Sequence, residues 1–368
     1  MTRLWRNRSI ALMVLVVAMS LVTTACSFGG DGGQADETTS TAATESTEAV
    51  EETTTTAAPE TTTTEAKPQK PRGGEAIVAD DTEPPTLNPF VAGGDKPIVS
   101  TIGQAYFTGV QEIDGVTLTL IPELVTELPT TGNGGVTLNE DGTMTVRYVI
   151  KEEAQWEDGT PISGDDFLFT LETILDPDSP VGKTTYEDID IDTIVVGDKT
   201  FEYTLAAPTT LYELLFGVVL PKHSIEGSDF VADWNDQMWA SGGPFKFDQW
   251  VKGESITLVR NDNYWKIDAE TDQQLPYLDT VTFRFFAEAD SVIDAFKTRE
   301  ADIIQPPSKI ETIETLRALE SEGARVEVLS GPAWEHLHFQ FGDGRFERNE
   351  NSCTESLAMR RAAGHAID

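Results

Sequence analysis

Cysteine is nearly absent: Cys26 and Cys353 are the two in 368 residues. No cluster of thiolates can form from two, and His336-x-His338, which could suggest zinc or nickel, has no third ligand nearby in the sequence, so a metal site is disfavoured. Positive charge is scarce as well. Lys and Arg total 26 against 63 Asp and Glu, a formal net charge of -37. Such a surface repels a phosphate backbone, so nucleic acid is excluded as a partner. Long apolar runs are missing apart from Ile10 to Val22, which is shorter than a membrane span. Also missing are the Gly-x-Ser-x-Gly, His-Glu-x-x-His and Gly-x-x-x-x-Gly-Lys patterns of serine hydrolases, zinc peptidases and phosphate-binding loops. Glu157 and Asp158 are adjacent carboxylates, but Asp158-Gly159-Thr160-Pro161 is explained as a turn and needs no glycosidase chemistry. No enzyme is indicated. The acidity fits an exported protein kept soluble by like charge, and a preference for a cationic ligand is the alternative.

What is present begins with an address. Arg3, Arg6 and Arg8 precede the apolar run, as in a signal peptide. Val22-Thr-Thr-Ala-Cys26 then resembles the lipobox of bacterial lipoproteins, with Thr23 where leucine is usual. The resemblance implies lipidation at Cys26, with residues 1–26 as the lipoprotein signal. Cys353 is then left as a buried thiol or as half of a disulfide whose partner lies elsewhere. Residues 27–71 are Thr, Glu, Ala, Gly and Pro with almost no large apolar side chains. Such a tract cannot bury enough surface to fold and reads as an extended tether.

The folded body opens at Gly73-Gly74. Asp141-Gly142 marks a turn, and Thr143 to Ile150 alternates as a strand. Ser163 with Asp166 reads as a helix capping pair ahead of the stripe Phe167, Leu168, Leu171, Ile174, Leu175. Further strands are predicted at Ala76 to Ala79, Val116 to Ile121, Asp188 to Val196, Thr200 to Leu205, Val281 to Phe286 and Ala301 to Ile304. A hairpin is predicted over Phe245 to Arg260. Helices are predicted over Lys96 to Tyr106, Leu211 to Val219, Asp290 to Arg299, and from Ser308 to Gly323. The alternation gives an α/β fold with a mixed sheet and no solenoid repeat.

Trp156-Glu-Asp-Gly-Thr-Pro161 at the strand–turn–helix unit resembles the signature region of the extracellular solute-binding proteins of the peptide/nickel type, family 5. Further motifs follow in the same order: Pro84-Pro-Thr-Leu-Asn-Pro89, Leu220-Pro-Lys-His223, Ser241-Gly-Gly-Pro-Phe245 and Arg260-Asn-Asp-Asn-Tyr-Trp265. The resemblance implies a periplasmic-binding-protein-like, two-lobed fold of type II. Residues 72–326 form the first lobe, with an inserted subdomain at about 116–197, and 327–368 begin a second lobe. Met359 to Asp368 resembles a helix early in that lobe, so the second lobe is expected to be mostly missing, and ligand binding by this chain to be weak.

The same resemblance implies capture of peptides or a similar small solute outside the cell by a monomer. The cargo goes to the permease and ATPase of an ABC importer. No cofactor or metal is implied. A sensory receptor on the same scaffold and a stalked extracellular hydrolase are the alternatives. On the strand Trp334 to Phe341, Leu337, Phe339 and Phe341 face one way. Trp334, His336, His338 and Gln340 face the other, where relatives place ligand contacts. Trp334, His336 and His338 are the candidate ligand residues there. Asn88, Tyr106 and Trp239 are candidates from loops at the cleft edge.

Overall fold

The computed structural model describes residues 67–177, 179–306 and 309–328, together with Arg361, Gly364 and His365. The predictions at Cys26, Ser308, Trp334, His336, His338, Gln340 and Cys353 lie outside the described residues.

Two sheets carry the fold. The chain enters through β1 (Glu75–Asp80), α1 (Pro97–Gly103) and a small hairpin of β2 (Gln111–Ile113) and β3 (Leu120–Pro122). It then builds β4 (Val136–Leu138), β5 (Met144–Val149), α2 (Gly164–Leu175), β6 (Ile189–Gly197) and β7 (Thr200–Leu205). After the short α3 (Lys222–Ile225) come β8 (Phe245–Val251), β9 (Ser255–Arg260), β10 (Thr280–Phe285), α4 (Ala289–Lys297), β11 (Ile303–Ile304) and α5 (Ile310–Ala318). The first sheet has the order β11-β1-β10-β9-β8, with β1 parallel to β10 and β11 and the rest antiparallel. The second is antiparallel, β4-β5-β7-β6. It is spliced between β1 and β10, so the mixed α/β sheet closes only after the second sheet has been built.

Alternation makes the second sheet. Met144, Val146 and Tyr148 of β5 and Phe201, Tyr203 and Leu205 of β7 all point into one core. Thr145 and Thr204 meet on the other face. The stripe of α2 supplies Phe167, Leu171 and Ile174, all buried. Ser163 and Asp166 form the reciprocal capping box that their spacing predicts. Asp166 does more than cap. Its carboxylate accepts from Ser163 N at 2.9 Å, Trp156 Nε1 at 3.4 Å and Lys222 N at 3.0 Å. The Leu220-Pro-Lys-His223 segment is thereby docked on the start of α2, and Leu220 N also donates to Thr170 Oγ1 at 2.8 Å.

The other motifs meet at the seam between the sheets. Glu157 N donates to Ser241 O at 2.8 Å and Ser241 N to Glu157 Oε2 at 2.9 Å, Asn263 Nδ2 donates to Glu157 O at 2.8 Å, and Asn261 Nδ2 donates to Gly243 O at 2.9 Å. A Cβ on Gly242 would fall 2.2 Å from Thr108 and 2.9 Å from Trp156, so only glycine lets the strands pass this closely.

Two predicted elements fail for physical reasons. Val116 to Ile121 is not a strand: Asp114 accepts from Val116 N, Thr117 N and Thr117 Oγ1, which folds the segment into the turn of the β2–β3 hairpin. Leu118 sits there at φ 56°, and pairing starts only at Leu120. Leu211 to Val219 is not an α-helix either. Thr210–Leu214 makes a single 3-10 turn capped by Thr209. The chain then turns through Leu215 and Phe216, the latter at φ 56°, with Val110 N donating to Phe216 O and Val219 N to Thr108 O, both at 2.9 Å. A backbone partner at 108–110 outbids the helix. Helix α1 is also shorter than predicted, ending at Gly103.

The entry to the body is clamped. Lys70 Nζ lies 3.0 Å from Asp268 Oδ2, Lys70 N donates to Gln273 Oε1 at 2.8 Å, and Gly73 N donates to Tyr277 O at 2.8 Å. Hydrogen bonds from Tyr277 and Lys70 hold the Asp268 carboxyl well below the usual carboxylate range.

Candidate ligand-binding site

Two cavities open on the described body, and they share no lining residue. The larger is a groove of about 800 Å³, within the usual span for small-molecule sites. One side is the face of α1 at Ser100 and Gln104 with Phe107 behind it, and the other is the Leu275 to Leu278 segment. Its walls are mostly apolar. Its floor carries a charge cluster assembled from two distant segments, the β2–β3 hairpin and the stretch after β9. Lys266 Nζ lies 2.6 Å from Glu123 Oε2 and 3.0 Å from Glu112 Oε2, and Tyr264 Oη donates to Glu123 Oε1 at 3.0 Å. Glu123 is only 6 % exposed.

Burial sets the electrostatics of this cluster. It pushes the Glu123 carboxyl up, the hydrogen bond with Glu112 adds to that, and Lys266 opposes it without cancelling it. Burial acts the same way on Glu112, but the hydrogen bonds of Glu123 and Lys266 outweigh it and Glu112 ends lowered. The two carboxyls therefore compete for one proton, and the more buried Glu123 takes it first. Burial depresses Lys266, yet its two carboxylate partners hold it above its ordinary value. Lys151 stands beside them, its Nζ 4.9 Å from the Trp265 ring centre and donating to Glu123 O. Two oxygens of groove residues, Thr108 Oγ1 and Gln111 Oε1, are buried without a hydrogen-bond partner among the described residues.

The smaller cavity, about 390 Å³, holds two of the sequence candidates, Tyr106 and Trp239. Trp239 stacks on Phe107 at 5.3 Å and on Phe230 at 6.0 Å, and meets Trp234 edge-on at 6.2 Å. Asn88 belongs to the same neighbourhood by a different route. It is fully buried, donates to Phe230 O at 2.9 Å and accepts from Phe90 N at 2.9 Å. Its side chain holds the loop that packs Phe90 against Phe230 and Trp239. Glu157 and Asp158 line the mouth, with Asp158 Oδ2 3.0 Å from His223 Nε2.

Sequence reasoning missed Glu112, Glu123 and Lys266. They are separated by up to 154 residues, and no local pattern links them. Among the described residues, no group of three or more His, Cys, Asp or Glu side chains is placed to hold a metal ion. No described helix is long and apolar enough to cross a membrane.

Known proteins resemble this chain in both sequence and shape. The oligopeptide-binding protein OppA of Bacillus subtilis is 24% identical over 385 residues, covering 97% of this chain and 59% of that protein. Among solved structures, the periplasmic EDTA-binding protein EppA matches with a TM-score of 0.59 and 24% identity, over 73% of this chain and 50% of that one. The oligopeptide-binding protein AppA from Bacillus subtilis, in complex with a nonapeptide, matches with a TM-score of 0.54 and 22% identity, over 65% and 45%. The chain thus spans about half the length of these relatives. The profile of bacterial extracellular solute-binding proteins, family 5 (Middle), matches residues 119–368, about two thirds of the sequence. On that match the chain belongs to the bacterial extracellular solute-binding proteins of family 5.

Proposed function

We propose that this chain is the solute-capturing component of an ABC importer and that peptides are its ligand class. The observation that carries this reading is family membership joined to a groove of about 800 Å³ with apolar walls and charges of both signs on its floor. Such a groove offers a peptide what it needs. Apolar walls take side chains, Glu112 can face an ammonium, and Lys266 can face a carboxylate. Thr108 and Gln111 carry acceptors with no partner among the described residues, each of which costs about 1–3 kcal/mol while unmet. Peptide N–H groups are suitable donors for them. That OppA of Bacillus subtilis binds oligopeptides and that AppA holds a nonapeptide support the same class. Tyr106 and Trp239 support the groove from behind through Phe107, and Trp334, His336 and His338 remain its proposed contacts from the segment after 328.

In this reading the protein acts as a monomer outside the cell. Residues 27–71 are the tether from a lipid on Cys26, and the body from 72 onward presents the groove to permease and ATPase partners. Purified chain incubated with a mixture of short peptides should retain a subset of them in native mass spectrometry. Retention of another solute and of no peptide would refute the ligand class. In cells fed an alkyne-tagged fatty acid the chain should carry the label, and Cys26→Ser should abolish it. Label persisting in that variant would disprove the anchor.

A further inference from the structure

We propose that the smaller cavity is a second binding site, separate from the groove, and that it takes the head group of a primary ammonium or guanidinium compound. Its walls and its charge point to the same ligand. Trp234, Phe247 and the edge of Trp239 line the cavity, the indole of Trp239 being stacked on Phe107 and Phe230. Aromatic faces attract cations and tolerate their aliphatic stems. At the mouth Glu157 binds Ser241 N through Oε2 at 2.9 Å, while its other oxygen has no hydrogen bond to any described residue. Asp158 is already engaged by His223.

The deepest polar group is the one that selects among cations. Tyr106 is 1 % exposed, lines the cavity, and its hydroxyl makes no hydrogen bond to any described residue. Burial, and next to it the charge of Glu157, hold that hydroxyl well above its ordinary pKa. The hydroxyl therefore stays protonated and lies within reach of the Glu157 field. A hydroxyl and a carboxylate oxygen that line the cavity, both without a hydrogen bond to any described residue, suit a head group that brings several N–H donors. A quaternary ammonium brings none and gains only the aromatic walls. The positive group whose charge reaches Glu157 is Lys246, and the His223 ring is taken up by Asp158. The net charge of -37 raises the local concentration of any cation. This also gives the acidity of the chain a use that solubility alone does not.

The test uses n-butylammonium, n-butylguanidinium and tetramethylammonium as probes, titrated against the full chain and followed by tryptophan fluorescence. The two donor-bearing cations should bind more tightly than tetramethylammonium. Tyr106→Phe, which removes only an unbonded hydroxyl, should weaken them about fivefold, and Glu157→Gln about tenfold or more. Gln retains an acceptor for Ser241 N, so the seam survives. Glu112→Gln, in the larger groove, should leave all three affinities unchanged. Absence of binding, affinities unmoved by both cavity variants, or loss caused by Glu112→Gln in their place would each overturn the proposal. None of these outcomes depends on whether the groove takes peptides.

Discussion

Replacing Lys266 with methionine should destabilise the protein by about 3 kcal/mol at neutral pH, read as a lowered midpoint of urea unfolding. The side chain is 31% exposed, which places the effect at the lower end of the range for breaking a buried ion pair. Its partner is what makes the loss large. Glu123 is 8% exposed by side chain, and without Lys266 its charge keeps only the Tyr264 hydroxyl and the more distant Lys151. The pH dependence follows from the direction of the shift. Glu123 is already raised by burial, and removing Lys266 raises it further. A carboxyl whose folded pKa lies above its unfolded value, about 4.3, contributes stability that is complete below that value. The contribution is lost as pH rises through the folded pKa. The cost of Lys266→Met should therefore be smallest near the acid end and grow toward neutrality, and adding Glu123→Gln should recover most of it. A difference that stays flat with pH would rule out this account of the cluster.

Asp166→Ala should cost a similar amount, about 3 kcal/mol, through three orphaned donors rather than one orphaned charge. Ser163 N loses its cap, Trp156 Nε1 loses its acceptor among the described residues, and Lys222 N loses the bond that docks α3. Lys222 belongs to a segment remote from α2 in sequence, so the damage should spread. Hydrogen exchange should accelerate at Ser163 and also at Lys222, 56 residues away. A change confined to the first turn of α2 would mean that Asp166 is only a helix cap. Asp166→Asn keeps one acceptor oxygen and should recover part of the loss.

These two carboxylates also mark the boundary of what the sequence discloses. Asp166 is legible because its capping partner is three residues away and a helical stripe follows. The strands β5, β7 and β9 are legible because each alternates against a single core, and β8 because it forms a hairpin with β9 across Lys252-Gly253. The motifs that carry the family resemblance turn out, where described, to be structural knots: Glu157, Ser241, Asn261 and Asn263 tie one sheet to the other. They announce the scaffold and say little about a ligand. Glu112, Glu123 and Lys266 are illegible because the β2–β3 hairpin sets the two carboxylates side by side, and only the packing of the segment after β9 against it brings in Lys266. The turns at Asp114 and at Phe216 are misread for a related reason. Their local patterns suit a strand and a helix, but a side-chain acceptor and a remote backbone partner decide the outcome.

The clamp at the start of the body has a mechanical meaning. A pull applied upstream of Lys67 first loads the Lys67–Asp272 and Lys70–Asp268 pairs, which are partly exposed and individually weak. Behind them lies β1, flanked on both sides, with six consecutive residues in register along β10. Traction along the strand strains that ladder in shear, so its hydrogen bonds resist together rather than parting one at a time. The ion pairs yield early and can re-form, while the sheet bears the tension. Because Gly73 N bonds to Tyr277 O in the groove wall, a tug at the N-terminus reaches the groove only after the outer ion pairs have yielded.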